Sequence, residues 1–220
     1  MQHPGRRGLF ISLEGIDGSG KSTQAARLAD HLRSRGLIVH LTREPGGSAG
    51  AEEIRRLLVE GDPGRWSPET EILLFTAARR DHLERLIRPA LGRGEIVICD
   101  RFADSTRVYQ GAARADLRST VDALHDLMIR TEPDLTLIID MDPETALARG
   151  LARSSGEDRF EEMGTDFQVR LADGFRALAR AAHGRCRLVD GAGSPDEVAV
   201  RVLAAAEPVL AEHLGAAGAS

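Results

Sequence analysis

The chain has 220 residues, enough for one α/β domain with a full core and too few for two of ordinary size. Hydrophobic residues make up 42% and charged residues 29%, a composition that excludes an intrinsically disordered chain. The net charge of −5 argues against a general polyanion binder, so no nucleic-acid role is expected, whereas a small phosphorylated ligand needs only a few converging arginines.

In chain order, Met1–Gly8 carries two arginines, but no apolar h-region of signal-peptide length follows, so it reads as a loose terminus and not as a signal peptide. Leu9–Leu13 is an apolar run that reads as a buried strand ending at Glu14-Gly15. Lys21–Arg35 is amphipathic, with Leu28 and Leu32 on one face, and Gly36 stops it. Leu37–Leu41 is predicted as a second strand, Ser48–Val59 as a helix and Pro68–Leu91 as a longer helix that Pro89 bends or ends. Glu95–Cys99 follows as a strand, Leu117–Arg130 as a helix and Leu135–Ile139 as a strand. Pro143–Ala152 and Glu157–Ala182 are predicted helical, Arg187–Val189 a short strand and Pro195–His213 a last helix. Tails at 1–7 and 214–220 are expected to be flexible.

The predicted strands are nearly continuous apolar runs, as in a parallel sheet covered on both faces. One domain spanning 1–220 is expected. With a G-x-x-x-x-G-K-[ST] stretch, Gly15–Ser22, after its first strand and a basic polar stretch near 149–161, its fold class is α/β, a P-loop NTPase-type doubly wound five-stranded parallel sheet with helices on both faces and a short lid at about 149–161. Ligands in such sheets bind beyond the carboxyl ends of the strands, which directs attention to the loops after Leu13, Leu41, Cys99 and Asp140. No apolar run reaches the ~18–20 residues of a membrane span. Cys99 and Cys186 lack metal-ligand spacing and read as inert buried thiols of a reducing, cytoplasmic compartment.

Gly15-Ile16-Asp17-Gly18-Ser19-Gly20-Lys21-Ser22 fits the G-x-x-x-x-G-K-[ST] pattern between a predicted strand and a predicted helix. Its backbone N–H groups can cradle phosphates, Lys21 can reach the β- and γ-phosphates of ATP, and Ser22 can ligate Mg²⁺. Asp17 is an unusual acid for such a loop. It reads either as a solvated carboxylate or as an acceptor for a sugar hydroxyl or a metal-bound water. Thr42-Arg43-Glu44-Pro45-Gly46-Gly47 and Asp100-Arg101 follow strands at the ligand end of the sheet. Asp100 stands where an acid holds Mg²⁺ directly or through water, and Arg101 where a guanidinium can grip a phosphate.

Together, Gly15–Ser22, Thr42–Gly47, Phe75 with Arg79, Asp100-Arg101 and Ser105–Gly111 resemble bacterial thymidylate kinases from about Leu9 to about Leu203. The resemblance implies phosphorylation of dTMP to dTDP by ATP with Mg²⁺, through direct in-line transfer in a homodimer. Phe75 resembles the aromatic that stacks on thymine, and Arg79 the donor to a base carbonyl. The spacing of four residues places both on one helix face. Arg43 and Arg101 resemble the grips on the substrate monophosphate, and Ser105 and Thr106 base or phosphate contacts. Tyr109 resembles the aromatic that crowds the 2′ position, with Gln110 beside it as a further contact. Family members carry a catalytic arginine either in the phosphate loop or in the lid. Position 18 is glycine here and the lid is basic, with Arg149, Arg153 and Arg159 around Ser154-Ser155-Gly156, so the chain resembles the lid-arginine type. Arg153 is the favoured donor and Arg149 the next, while Asp158 is expected to accept from a substrate hydroxyl or to orient the lid. Many members carry a further glycine after Gly111, where this chain has Ala112-Ala113. Two other readings remain: a kinase for another pyrimidine nucleotide or nucleoside, and a non-catalytic P-loop switch.

Overall fold

In the computed structural model, residues 7–60, 64–113, 117–151 and 164–215 are described. Five parallel strands form one sheet in the order β2-β3-β1-β4-β5. They are β1 (Phe10–Glu14), β2 (Val39–Arg43), β3 (Ile96–Asp100), β4 (Leu135–Asp140) and β5 (Cys186–Asp190). The central strands are buried almost throughout, whereas β2 and β5 at the edges mix buried with open positions.

Nine α-helices lie in the described residues: α1 (Lys21–Ser34), α2 (Ala49–Val59), α3 (Pro68–His82), α4 (Arg88–Gly92), α5 (Ala103–Ala113), α6 (Arg118–Leu124), α7 (Pro143–Leu151), α8 (Thr165–Ala181) and α9 (Pro195–Gly215). On one sheet face, α1 and α9 bury Leu28, Leu32, Val198, Val202 and Leu210 against Ile11, Leu13, Ile98 and Leu137. On the other face, Phe10, Val97 and Cys99 meet Leu83, Ile87 and Leu91, and Ile138 meets α5, α7 and α8 through Val108, Ala146, Phe167 and Leu171.

Two predicted boundaries moved for local reasons. The second strand starts at Val39 because Leu37 belongs to the cap of α1. Gly36 is left-handed (φ +80°), its N–H bonds the Arg33 carbonyl, and the Leu37 N–H reaches back to the Leu32 carbonyl. The long helix from Pro68 does run to Gly92, but it widens into a π turn at Leu83–Ile87 directly before Pro89. Arg88 N–H there bonds the Leu83 carbonyl five residues back, so the register shifts just where proline lacks a donor. A second π turn, His125–Ile129, closes the predicted 117–130 helix, and Arg130 ends it in the left-handed region (φ 52°).

Helix α5 is the element that sequence reading did not assign as a helix. It is clamped to the sheet by charge. Asp104 is almost fully buried and accepts from Arg107 (2.9 Å) and from both Nη atoms of Arg185 (2.6 and 2.9 Å). Arg185 also donates to Thr136 of β4, and Arg107 to Glu132 (2.6 Å). Removing the shared carboxylate would strip Arg185 of its two closest bonds and leave both guanidinium groups to share Glu132. Asp104→Ala should cost about 3–5 kcal/mol in urea unfolding. A loss below about 1 kcal/mol would show that solvent replaces Asp104 and that α5 is held by packing alone.

Candidate active site

The carboxyl ends of β1, β2 and β3 open onto a cavity of ≈ 330 Å³, the size of a small-molecule site. Its walls carry Lys21 and Ser22 of the phosphate loop and α1, Phe75 and Arg79 of α3, and Asp17, Asp100, Arg101 and Tyr109.

The phosphate loop is shaped by close backbone approach. A Cβ at Gly15 (φ +138°) would lie 2.6 Å from the Ile139 carbonyl oxygen. A Cβ at Gly18 (φ +80°) would lie 1.8 Å from the Ala146 carbonyl oxygen of α7, so no side chain fits there in this arrangement. Gly20 caps α1 in the left-handed region (φ 93°). Lys21 donates to the Ile16 carbonyl (2.8 Å), so its ammonium is folded back over the loop. Burial, aided by the Arg101 charge, pushes Lys21 down to about 8. Ser19 Oγ is buried without a partner among the described residues.

Ser22 Oγ donates to Asp100 Oδ2 (2.5 Å), and Asp100 Oδ1 is buried and unpartnered among the described residues. A hydroxyl and an unsatisfied carboxylate oxygen at the mouth of a phosphate loop are hard oxygen donors that fit Mg²⁺.

Arg101 directly follows β3 in the left-handed region (φ 69°), uncommon for a residue with a side chain. Four contacts hold it there. Nη1 donates to the Gly15 carbonyl (3.1 Å) and Ser105 Oγ (2.8 Å), and Nη2 to Asp17 Oδ1 (2.5 Å) and Tyr109 Oη (3.0 Å). Tyr109 in turn donates to Asp17 Oδ2 (2.7 Å). Burial works against the Asp17 charge, but Arg101 and Lys21 hold its carboxyl well below the usual carboxylate range. Asp17 is thus a paired, partly buried carboxylate in the cavity wall, not a solvated loop acid.

Arg79 and Phe75 project from α3. The guanidinium of Arg79 donates through Nε to Glu44 Oε2 (2.7 Å) and through Nη2 to the Phe102 carbonyl (3.2 Å) and Thr106 Oγ1 (3.0 Å). Its Nη1 has no bonded partner among the described residues, and the residue lines the cavity beside Phe75.

A family model for thymidylate kinase matches residues 13–202. The chain is 70% identical over 204 residues to a thymidylate kinase of Dinoroseobacter shibae, covering 93% of this chain and 97% of that protein. This chain belongs to the thymidylate kinase family. A thymidylate kinase of Caulobacter vibrioides is 51% identical over 210 residues, covering 95% of this chain and 99% of that protein. The crystal structure of thymidylate kinase from Ehrlichia chaffeensis matches with a TM-score of 0.73 at 38% identity, covering 90% of this chain and 98% of that one.

Among the residues that the thymidylate kinase resemblance singled out, Arg43, Ser105, Thr106 and Gln110 also line this one cavity. Ile16 does not line it. It packs in the core and lends only its carbonyl to Lys21. Arg149 does not line it either, and its Nη1 lies 3.5 Å from Met141 Sδ. Arg153, Asp158 and Arg159 lie outside the described residues. Ala112-Ala113 simply continue α5 where many family members have a glycine.

Sequence reading passed over three groups. Arg55 of α2 lines the cavity and donates to the Pro45 carbonyl (2.6 Å). Glu44 and His82 stand behind Arg79. Glu14, the last residue of β1, is fully buried and accepts from Phe102 N (2.8 Å), Ser105 N (3.3 Å) and Ser105 Oγ (2.6 Å). An acid closing an apolar strand just before a phosphate loop was the available signal for Glu14.

Those three donors favour the Glu14 carboxylate, but burial and then the nearby Asp104 outweigh them and push Glu14 up to about 7. A carboxyl whose pKa rises on folding binds more protons in the folded state. Its contribution to stability is full below its ordinary value of 4.5 and is lost as pH rises through about 7. Glu14→Gln keeps the shape and cannot ionise. Relative to this variant, the wild type should lose up to about 3 kcal/mol of stability between pH 4.5 and 7, read from urea unfolding at each pH. A constant difference across that range would show that Glu14 is ionised throughout.

Proposed function

We propose that the chain catalyses ATP-dependent phosphorylation of dTMP to dTDP by direct in-line transfer, as a cytoplasmic enzyme. One observation carries this reading. The phosphate loop and the Phe75–Arg79 face of α3 open into the same cavity, so two nucleotides can meet there phosphate to phosphate. The acceptor's own phosphate oxygen is the nucleophile, so no protein nucleophile is required. Phosphoryl transfer is mostly positioning and neutralisation of charge, and the cavity wall is rich in guanidinium groups.

In this reading Lys21 and the loop N–H groups hold the ATP phosphates, and Arg43 and Arg101 hold the acceptor phosphate. Phe75 stacks on the pyrimidine and Arg79 presents Nη1 to a base carbonyl. Ser105 and Thr106 meet the base or the phosphate, Tyr109 crowds the 2′ position with Gln110 beside it, and Asp17 accepts from a sugar hydroxyl or a metal-bound water. Ser22 and Asp100 would hold Mg²⁺, which would supply positive charge against the ATP phosphates. The arginine that faces the transferred group comes from the lid, with Arg153 as donor, Arg149 next and Asp158 orienting the segment. The clash that any Cβ at Gly18 makes with α7 supports that choice, because it bars an arginine from the loop position.

Lys21→Ala should lower kcat with ATP and dTMP by about 10³-fold or more while dTMP binding by calorimetry is largely kept. Full turnover by that variant would overturn the phosphate-loop assignment. The pyrimidine methyl alone discriminates by only ~10–200-fold, so the same assay run over a panel of nucleoside monophosphates decides the acceptor. A dominant acceptor other than dTMP would overturn the proposed substrate.

We also propose a homodimer. Leu57 of α2, Leu73 of α3 and Leu127 and Met128 of the adjoining π turn are exposed on neighbouring elements. Leu73 and Leu127 are 57% and 64% exposed, and an apolar patch of this kind is characteristic of surfaces that meet a partner. Light scattering should report twice the 23.8 kDa chain mass, and Leu73→Glu should shift it to the monomer. A wild-type monomer at micromolar concentration would sink the assignment.

A further inference from the structure

The Thr42–Gly47 motif carries more than the arginine that the site uses. Thr42 Oγ1 lies 2.8 Å from His82 Nε2, and His82 Nδ1 lies 3.1 Å from Glu44 Oε1. Glu44 Oε2 then receives Arg79 Nε at 2.7 Å. The result is a linear relay, Thr42–His82–Glu44–Arg79, that begins at the end of β2 and ends on the cavity wall. All four residues are buried, and His82 is completely so. Only Glu44 and Arg79 reach the cavity; His82 does not.

The direction of the hydrogen bonds follows from the partners. A carboxylate only accepts, so the proton of the imidazole sits on Nδ1. Nε2 faces the Thr42 hydroxyl, which can donate or accept and so partners it in either case. The Nδ1–H bond fixes one carboxylate oxygen of Glu44 and leaves the other aimed at Arg79. The Gly46-Gly47 turn seals the relay. A Cβ at Gly47 (φ +87°) would lie 2.4 Å from both His82 Nε2 and Thr42 Oγ1, so only glycine lets the backbone cover that bond. Glu52 Oε1 holds the turn down by accepting from Gly47 N (2.9 Å).

His82, Glu44 and Cys99 also cluster closely enough to suggest a metal site. The bonds present argue otherwise. Both Glu44 oxygens are already committed to His82 and Arg79, and the Cys99 thiol donates to the Arg101 carbonyl (3.0 Å).

We propose that His82 is a positioning residue for pyrimidine recognition, holding Glu44 in the rotamer that points the free Nη1 of Arg79 at the acceptor base. This rests on the reading that Arg79 meets the base. It assigns the glutamate and the glycine pair of the Thr42–Gly47 motif to base recognition at second hand, separate from the phosphate contact of Arg43. Guanidinium groups are held by directional bonds, and loss of one anchor lets the fork swing away from a planar acceptor.

The test is steady-state kinetics on the full chain with a conservative pair. Asparagine presents an amide N–H where His82 has Nδ1, so His82→Asn keeps the donor to Glu44. Glutamine reaches only the Nε2 position, so His82→Gln loses it. His82→Gln should raise KM for dTMP by about tenfold, with kcat and KM for ATP changing far less. His82→Asn should restore most of that loss. Thr42→Val, which frees the far end of the ring, should raise the same KM by about threefold and serves where His82→Gln does not fold. Unchanged KM for dTMP in the folded variants would overturn the proposal, as would His82→Asn behaving no better than His82→Gln. Arg79→Ala separates the two levels of the argument. If it raises KM for dTMP by about 100-fold while the His82 variants do nothing, only the relay fails. If Arg79→Ala is also silent, the base-recognition reading fails with it.

Discussion

The site depends on one carboxyl group that does not line the cavity. Glu14 ends β1, and its two oxygens take the N–H groups of Phe102 and Ser105 and the Ser105 hydroxyl. The next residue is the first glycine of the phosphate loop. One side chain therefore ties the start of the phosphate loop to the start of α5, which carries Ser105, Thr106, Tyr109 and Gln110 into the cavity wall. In-line transfer tolerates little misplacement, and an error of about 1 Å between the two halves can cost about 10²-fold. A buried ionisable group is a costly way to make the joint, but a carboxylate is the one short side chain that accepts from several donors at once.

Arg101 completes the same joint from above. Its left-handed backbone turns the chain sharply after β3, and its guanidinium spans the Gly15 carbonyl, Asp17, Ser105 and Tyr109. Strain at a residue with a side chain persists only where the surroundings over-determine it, and four acceptors do that here. The loop, β3 and α5 thus behave as one preorganised wall. Tyr109 is fixed in it by Phe167 and Phe175, each at 6.4 Å and edge-on, and by its bond to Asp17.

How much of this was legible in the sequence varies with the range of the interaction. The phosphate loop, β1, β3 and β4 were plain, because their signals are local: glycine spacing and unbroken apolar runs. Helix α5 was not, because the residues it buries include Asp104, Thr106, Arg107 and Gln110, which serve the cavity and the charge clamp and erase any apolar period. Glu44 and His82 stand 38 positions apart and meet only after β2 and α3 are in place. No periodicity or spacing marks such a pair. Asp17 was legible as an oddity, but its partners were not. Arg101 is 84 residues away and Tyr109 is 92.

The charge of the cavity explains why its cations come ready paired. The chain as a whole carries a net charge of −5, yet five cationic and three acidic side chains line this cavity, so the local balance is reversed. Five unpaired cations around so small a space would repel one another strongly in the empty enzyme. Asp17, Glu44 and Asp100 relieve that repulsion by holding Arg101, Arg79 and, through Ser22, the mouth of the loop. The pairings differ in what a ligand can do to them. Arg79 keeps Nη1 unbonded among the described residues, so a neutral base carbonyl can be accepted without breaking the pair with Glu44. Arg101 has its four Nη hydrogens committed, so in the proposed reading a phosphate meets it at Nε or in exchange for one of those acceptors. In the proposed reading the Arg79–Glu44 pair thus keeps a fixed donor for a neutral base carbonyl, while the Asp17–Arg101 pair keeps a cation neutralised until a phosphate brings negative charge to share it, which an uncharged competitor cannot do.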